Sequence, residues 1–242
     1  MSYPAYPPIE PTALGAIAAR LLHKKRSFRL DSEHLCAGVA PAIVYSGLEN
    51  LPVHGPLLLT TNHYARTGFN TAWMALAISA ALPVEVAWIM TNEWMFEGSP
   101  FAFLLRPAMR FVLKSFTLAY QFLPMPTMAP GIATPQQRSA GVRCVIERLR
   151  ASPDTVLGLA PEGMDSPESG LGMPPSGVGR FVQYLHKLGL PILPVGISEQ
   201  EGALHVRFGQ PYSLPAVDYS SHAEEDLAIR KIVMEHIRRL LP

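Results

Sequence analysis

The chain predicts an α/β fold: a single domain built on a mixed, mostly parallel sheet flanked by helices. Three observations carry that expectation. Short apolar runs of strand length alternate with longer segments of helical period. At 242 residues and 48% hydrophobic against 16% charged, the chain can bury one sizeable core. The polar stretches "TTNH" and "APEG" each follow an apolar run directly, where open α/β sheets carry their ligands, beyond the carboxyl ends of strands.

Taken in order, residues 1–32 form a leader. Its opening "MSYPAYPPIEP" is proline-rich, and residues 11–29 read as one helix with Leu14, Ile17, Leu21 and Leu22 on one side. Lys24, Lys25, Arg26 and Arg29 end it, which suits the helix dipole and equally an anionic membrane surface. Residues 33–242 form the main domain. Its expected elements are a strand over 57–61, a helix over 70–81, a strand over 84–90, a long apolar helix, a helix over 135–150 and a strand over 155–160. After the loop "PEGMDSPESGLGMPPSG" come a helix over 178–188 and a strand over 192–197. "GISEQEGALHVRFG" reads as a reversal into another strand, and "SSHAEEDLAIRKIVMEHIRRLLP" as a closing helix with serine at its start.

Lys and Arg total 20 against 19 acidic residues, a net charge of +1 that gives no reason to expect nucleic acid as a partner. Cys36 and Cys144 are far apart and outside metal-ligand spacing, so reduced thiols in a cytoplasmic setting are expected. The first acidic or basic side chain is Glu10, unlike the basic start of a signal peptide. The longest charge-free stretches contain polar residues and prolines and resemble no spanning helix.

Several chemistries are disfavoured by inspection. "GISEQ" supplies only the beginning of a G-x-S-x-G elbow, and no phosphate loop ends in Gly-Lys-Ser/Thr. "GVGRF" has two of the three dinucleotide glycines without the preceding strand, and no His or Cys cluster has metal spacing. What remains is one histidine just past a strand, His63, one glutamate just past another, Glu162, and a strand bearing two prolines, "LPILPVGIS".

With these residues in order the chain resembles the glycerolipid acyltransferases, the family of 1-acylglycerol-3-phosphate acyltransferases. That family's Asn-His-x-x-x-x-Asp motif is matched at Asn62 and His63, and its Phe-Pro-Glu-Gly-Thr-Arg-Ser motif at Pro161, Glu162, Gly163 and Ser166. Its Pro-Ile-Val-Pro-Val strand is matched at Pro191 to Val195, and the likeness spans residues 44–214. The resemblance implies that His63 removes a proton from an acceptor hydroxyl, which attacks an acyl thioester, that Glu162 positions the acceptor, and that Asn62, Pro161 and Gly163 are further substrate-binding candidates. It implies an acyl donor, acyl-CoA or acyl carrier protein, a lipid acceptor, and neither cofactor nor metal.

Two of the motifs depart from the pattern. Gly68 stands where the family has the aspartate that holds the imidazole, and Met164 and Asp165 stand where it has Thr-Arg. In catalytic triads, loss of such a carboxylate lowers the rate by about 10⁴. Thr67 falls one turn beyond His63 if the segment is helical but offers no charge, and Asn70 is too distant. Asp165, beside Glu162, could supply the charge lost at residue 68, or could be a turn residue. Arg66, close to His63, would disfavour the imidazolium and is a further substrate-binding candidate. The missing third-motif arginine is a bidentate phosphate ligand, so lysophosphatidic acid is not to be assumed as acceptor.

In "SPFAFLLRPAMRFVLKSFTLAYQFLPMP", Arg106, Arg110 and Lys114 recur every four residues as a basic stripe on an apolar helix that Pro107 begins or kinks. A membrane-facing edge, a phosphate-binding edge for coenzyme A or acceptor, and snorkelling cations on a buried helix all fit. Arg180 opens a helix and could hold a phosphate there. His54, His186, His205, His222 and His236 are scattered and read as surface residues, while Met90, Met95, Trp88 and Trp94 suit a core or an acyl-chain wall.

The reading is thus a peripheral acyltransferase at the inner face of the membrane, moving a fatty acyl group to a lipid hydroxyl. The alternative is a lipid- or acyl-binding protein of the same fold that has lost turnover.

Overall fold

In the computed structural model, the residues described are 3–91, 102–126, 134–163, 171–217 and 219–242. Met95, Trp94, Met164, Asp165 and Ser166 lie outside them.

The central strand β2 (Leu57–Thr61) is buried at every residue, as a strand covered on both faces must be. Its side chains divide between the faces: Leu57 and Leu59 enter one apolar core, Leu58 the other. Beside β2 lie β5 (Val156–Leu159) and β6 (Ile192–Gln200), both parallel to it. The sheet continues outward through β3 (Val86–Thr91) to β4 (Leu123–Met125) on one side. On the other, β7 (Ala203–Phe208) folds back antiparallel on β6, and β1 (Val44–Ser46) pairs parallel to β7. The order is β1-β7-β6-β2-β5-β3-β4, a mixed, mostly parallel sheet of seven strands among the described residues. The expected α/β fold is the one observed.

One face is covered by α1 (Glu10–Leu21), α2 (Phe28–Cys36), α3 (Ala72–Ala81) and the end of α4 (Ala102–Tyr120). The other is covered by α5 (Pro135–Ala151), α6 (Val178–Lys187) and α7 (His222–Arg238). Close packing dictates individual residues. The place a Cβ would take on Gly158 of β5 is occupied by the Trp88 ring of β3, whose indole N–H donates to the buried Ser79 hydroxyl at 3.0 Å. Pro194 lies inside β6, yet its carbonyl accepts from Gly209 N (2.9 Å) where β7 has ended, so its missing N–H falls outside the ladder.

Four expectations need correction. The single helix over 11–29 is two: α1 stops at Leu21, His23 takes a left-handed φ of 53°, and the Ser27 hydroxyl accepts from Leu30 N at 3.0 Å to start α2. Lys24, Lys25 and Arg26 therefore follow α1 rather than end it. Phe28, Leu35, Ala16 and Ala19 join the same core as β2, so residues on both sides of position 32 share one interior. The short strands β1 and β4, only 3 residues each, were not expected, and β6 continues three residues beyond 197, to Gln200. Pro107 lies inside α4 rather than at its start, which leaves the kinking alternative and removes the initiating one.

Candidate active site

Because β2 and β5 are parallel with Thr60 beside Leu159, continuing that register sets His63 beside Glu162. The side chains make the link real: the Glu162 carboxylate accepts the His63 backbone N–H at 2.8 Å through Oε1 and the Gly172 backbone N–H at 2.7 Å through Oε2. Glu162 is 4% exposed. Burial raises its pKa above the ordinary carboxylate value, while the two N–H groups oppose the rise. Each oxygen retains a further lone pair with which to meet a ligand. Pro161 is buried just before it, and Gly163 closes the turn at φ +72°, a conformation that suits glycine.

Asn62 explains why the chain leaves the sheet where it does. Its side-chain N–H donates to Ile197 O (2.9 Å) and its side-chain oxygen accepts from Ile197 N (2.8 Å). The side chain thus takes the place of a main-chain partner as β2 departs from β6, freeing residue 63 to turn toward β5. Of the substrate-binding candidates, Asn62 has its amide engaged in this clamp.

The segment after His63 is an extended loop, not a helix, with a turn at Thr67 and Gly68. Thr67 consequently does not lie one helical turn from His63. Gly68 has φ +79°, and a Cβ there would meet only the Arg66 guanidinium, at 3.7 Å. Arg66 itself forms a two-pronged ion pair with Glu199, with Nη2 donating to Oε1 at 2.8 Å and Nε to Oε2. The Arg66 guanidinium lies over the Tyr3 ring, 3.8 Å from its centroid.

Glu199 was not anticipated as a functional residue. Its side chain is only 3% exposed and also accepts from the Tyr6 hydroxyl (2.6 Å) and the Tyr64 hydroxyl (3.0 Å). Burial alone would raise its carboxyl; hydrogen bonds from Arg66, Tyr6 and Tyr64 outweigh that and hold it below the ordinary value. Burial, then the bond to Glu199, push the Tyr64 phenol up to about 12. The available signal was position: a carboxylate just past the core of β6, beside the strand that delivers His63.

On the α5–α6 side of the same sheet edge lies a cavity of about 390 Å³ lined chiefly by apolar groups, among them Ile89, Met90, Met125, Val142 and Phe181, with Pro161 and Gly163 in its wall. Arg180 is exposed at the start of α6, but the backbone N–H groups of that start are occupied: Gly177 N and Arg180 N donate to Oδ1 of the buried Asp226 at 3.0 and 3.1 Å. Arg106, Arg110 and Lys114 are exposed on α4. His186, expected at the surface, is half-buried and braces a loop, its Nδ1 3.0 Å from Leu190 O and its Nε2 accepting from Leu214 N at 3.2 Å.

A crystal structure of the 1-acyl-sn-glycerophosphate acyltransferase PlsC from Thermotoga maritima shares the fold, with a TM-score of 0.52 over 88% of this chain and 78% of that one, at 15% identity. No curated protein sequence matches significantly. A family model described as Acyltransferase matches residues 42–198, which include His63 and Glu162 and most of the sheet. The chain therefore belongs to the acyltransferase family.

Proposed function

We propose that this protein transfers a fatty acyl group from an acyl thioester to a lipid hydroxyl while lying on a membrane surface, with His63 as general base. The observation that carries the reading is the bond from His63 N to the Glu162 carboxylate, which joins the family's first and third motifs at one sheet edge beside an apolar cavity. A base within reach of the acceptor hydroxyl takes its proton as the oxygen attacks the thioester carbonyl; the carbonyl re-forms as the thiolate leaves, and the imidazolium returns the proton to it. Glu162 holds the His63 backbone in place and keeps a further lone pair on each oxygen with which to meet the acceptor.

Membrane attachment is supported by the outer layer formed by α1 and α4. Leu14, Leu21, Leu22, Phe111 and Leu118 are each more than 40% exposed there, alongside Arg106, Arg110 and Lys114. No described helix is long and apolar enough to cross a membrane, so attachment would be peripheral.

A second reading rests on Gly68: without a carboxylate at that position, the protein could bind acyl groups without turning them over. One experiment separates the two. Purified protein is incubated with acyl-CoA or acyl carrier protein thioester and a mixed lipid extract, and products are identified by mass spectrometry. An acylated lipid that disappears with His63→Ala, a change expected to lower turnover by about 10² to 10⁴ at unchanged fold, supports transfer. Binding of acyl groups with no product supports the second reading.

A further inference from the structure

A groove of about 710 Å³ runs between α5 and α6. Its walls carry Arg138, Arg143, Arg180 and Lys187 against one carboxylate, Glu225. At one end it meets the apolar cavity, with Arg138, Val142 and Phe181 lining both. The other side of that cavity reaches Pro161 and Gly163, the residues flanking Glu162. A continuous path thus leads from a cationic recess, past one arginine, to the edge that holds His63.

Three details make this more than a solvated basic surface. Arg143 and Arg180 take part in none of the ion pairs among the described residues. The Arg138 Nε at the junction is buried and has no hydrogen-bond partner there, an unmet donor of a group with five. The start of α6 is already capped by Asp226, so any anion in the groove must be met by guanidinium and ammonium groups rather than by the helix terminus.

The spread of charge indicates the ligand. Arg180 and Lys187 lie seven residues apart on α6, about 10 Å along the helix axis at ~1.5 Å per residue. One phosphate cannot span that, whereas a molecule bearing several can. Resting on the acyl-transfer reading, we propose that this groove binds the phosphorylated nucleotide end of coenzyme A, with the pantetheine arm passing Arg138 into the cavity so that the sulfur reaches the His63 edge. A carrier protein would present its acidic surface broadly, while these cations line a recess that narrows into a cavity.

The test uses the full chain and unacylated coenzyme A with no acceptor, measured by titration calorimetry. The triple variant Arg143→Gln, Arg180→Gln, Lys187→Gln should bind at least about tenfold more weakly, with a flatter dependence on salt. Pantetheine, which lacks the phosphates, should bind both proteins alike. His63→Ala should bind coenzyme A as the parent does. An unchanged melting temperature in the triple variant, whose substituted side chains are exposed, shows that the loss is local. Equal affinity of parent and triple variant, no binding by the parent, or displacement of bound coenzyme A by a singly phosphorylated lysolipid with the same sensitivity to the three substitutions would overturn the assignment. If the triple variant loses coenzyme A and no acceptor is ever acylated, the groove stands and the transfer reading falls. If acyl transfer proceeds with an unaltered KM for acyl-CoA in the triple variant, the groove falls and the transfer reading stands.

Discussion

Glu199 gathers three donors from two parts of the chain: Arg66 and Tyr64 of the His63 loop, and Tyr6 of the leader. Replacing it with Gln leaves the half-buried Arg66 without its counter-charge. The expected loss is about 3 kcal/mol, the low end for a broken buried pair because Arg66 retains some solvent. At about 2–4 °C per kcal/mol this lowers the melting temperature by roughly 6–12 °C, measurable by calorimetry. The pH dependence has a definite sign. A carboxyl held below its ordinary value contributes stability that is complete above the unfolded pKa, about 4.3, and is lost as pH falls through the folded value. Glu162, raised by burial, acts the other way: what it withholds at neutral pH returns on acidification. Glu199→Gln should therefore flatten the acid limb of a stability curve, and a limb unchanged from the parent would remove Glu199 as its source.

At position 68 the same scale of argument applies. Asp165→Asn is expected to lower kcat by about 10² to 10⁴ with little change in acceptor KM if Asp165 stabilises the imidazolium; unchanged turnover would return it to a turn role. Gly68→Asp would restore the family's spacing, but at φ +79° it carries a strain of roughly 1–2 kcal/mol, and Arg66 stands nearest to receive the new carboxylate. That single change is expected to lower the melting temperature and to give less than about a tenfold gain in kcat. His63 and Glu162 stood out by their places just past apolar runs, whereas the departure at 68 was legible only against the motif of the family the chain resembles. The Glu199 cluster was not, because its members lie at positions 6, 64, 66 and 199 and meet only once the sheet is built.

Among the elements, α1 and α4 pack together with Arg20 bridging them: its Nη1 donates to Phe111 O at 3.1 Å and to the Ser115 hydroxyl at 3.2 Å. Neutralising Arg106, Arg110 and Lys114 together is expected to weaken sedimentation with anionic vesicles, by about 1 kcal/mol for each charge that lies near the surface, and the parent's binding should fall steeply with salt. Binding indifferent to both would leave apolar insertion alone. Most elements of helical or strand period were legible, including β2, α5, α6 and α7. The missed ones share a cause. Strands β1 and β4 are too short for a period to register, and α2 hides behind the basic run that follows α1, announced only by Ser27 and by Asp31 four residues later.

At the scale of the whole molecule, the leader is part of the structure that holds the His63 loop. Ala5 pairs with Ala40 across two main-chain bonds of 2.7 and 3.1 Å, Tyr6 packs on Phe69 and Trp73, and Tyr3 covers Arg66. Deleting residues 1–8 is expected to remove one donor from Glu199, worth about 1.5–3 kcal/mol for a bond to a charged group, and to lower kcat more than it raises KM. A variant with parental kcat and melting temperature would show the leader to be dispensable.

The sheet order has a bearing on how the chain is made. Strand β2 is flanked by β5 and β6, which begin about 100 and 135 residues later, and β1 must wait for β7. At a synthesis rate of about 5–20 residues per second, Leu57, Leu58 and Leu59 leave the ribosome roughly 5–20 s before their first partner exists. For that interval this central strand, buried at every residue in the finished fold, is an open edge able to pair with any other nascent strand. Yield during expression should therefore depend on temperature and chaperone supply more than the stability of the finished protein would suggest.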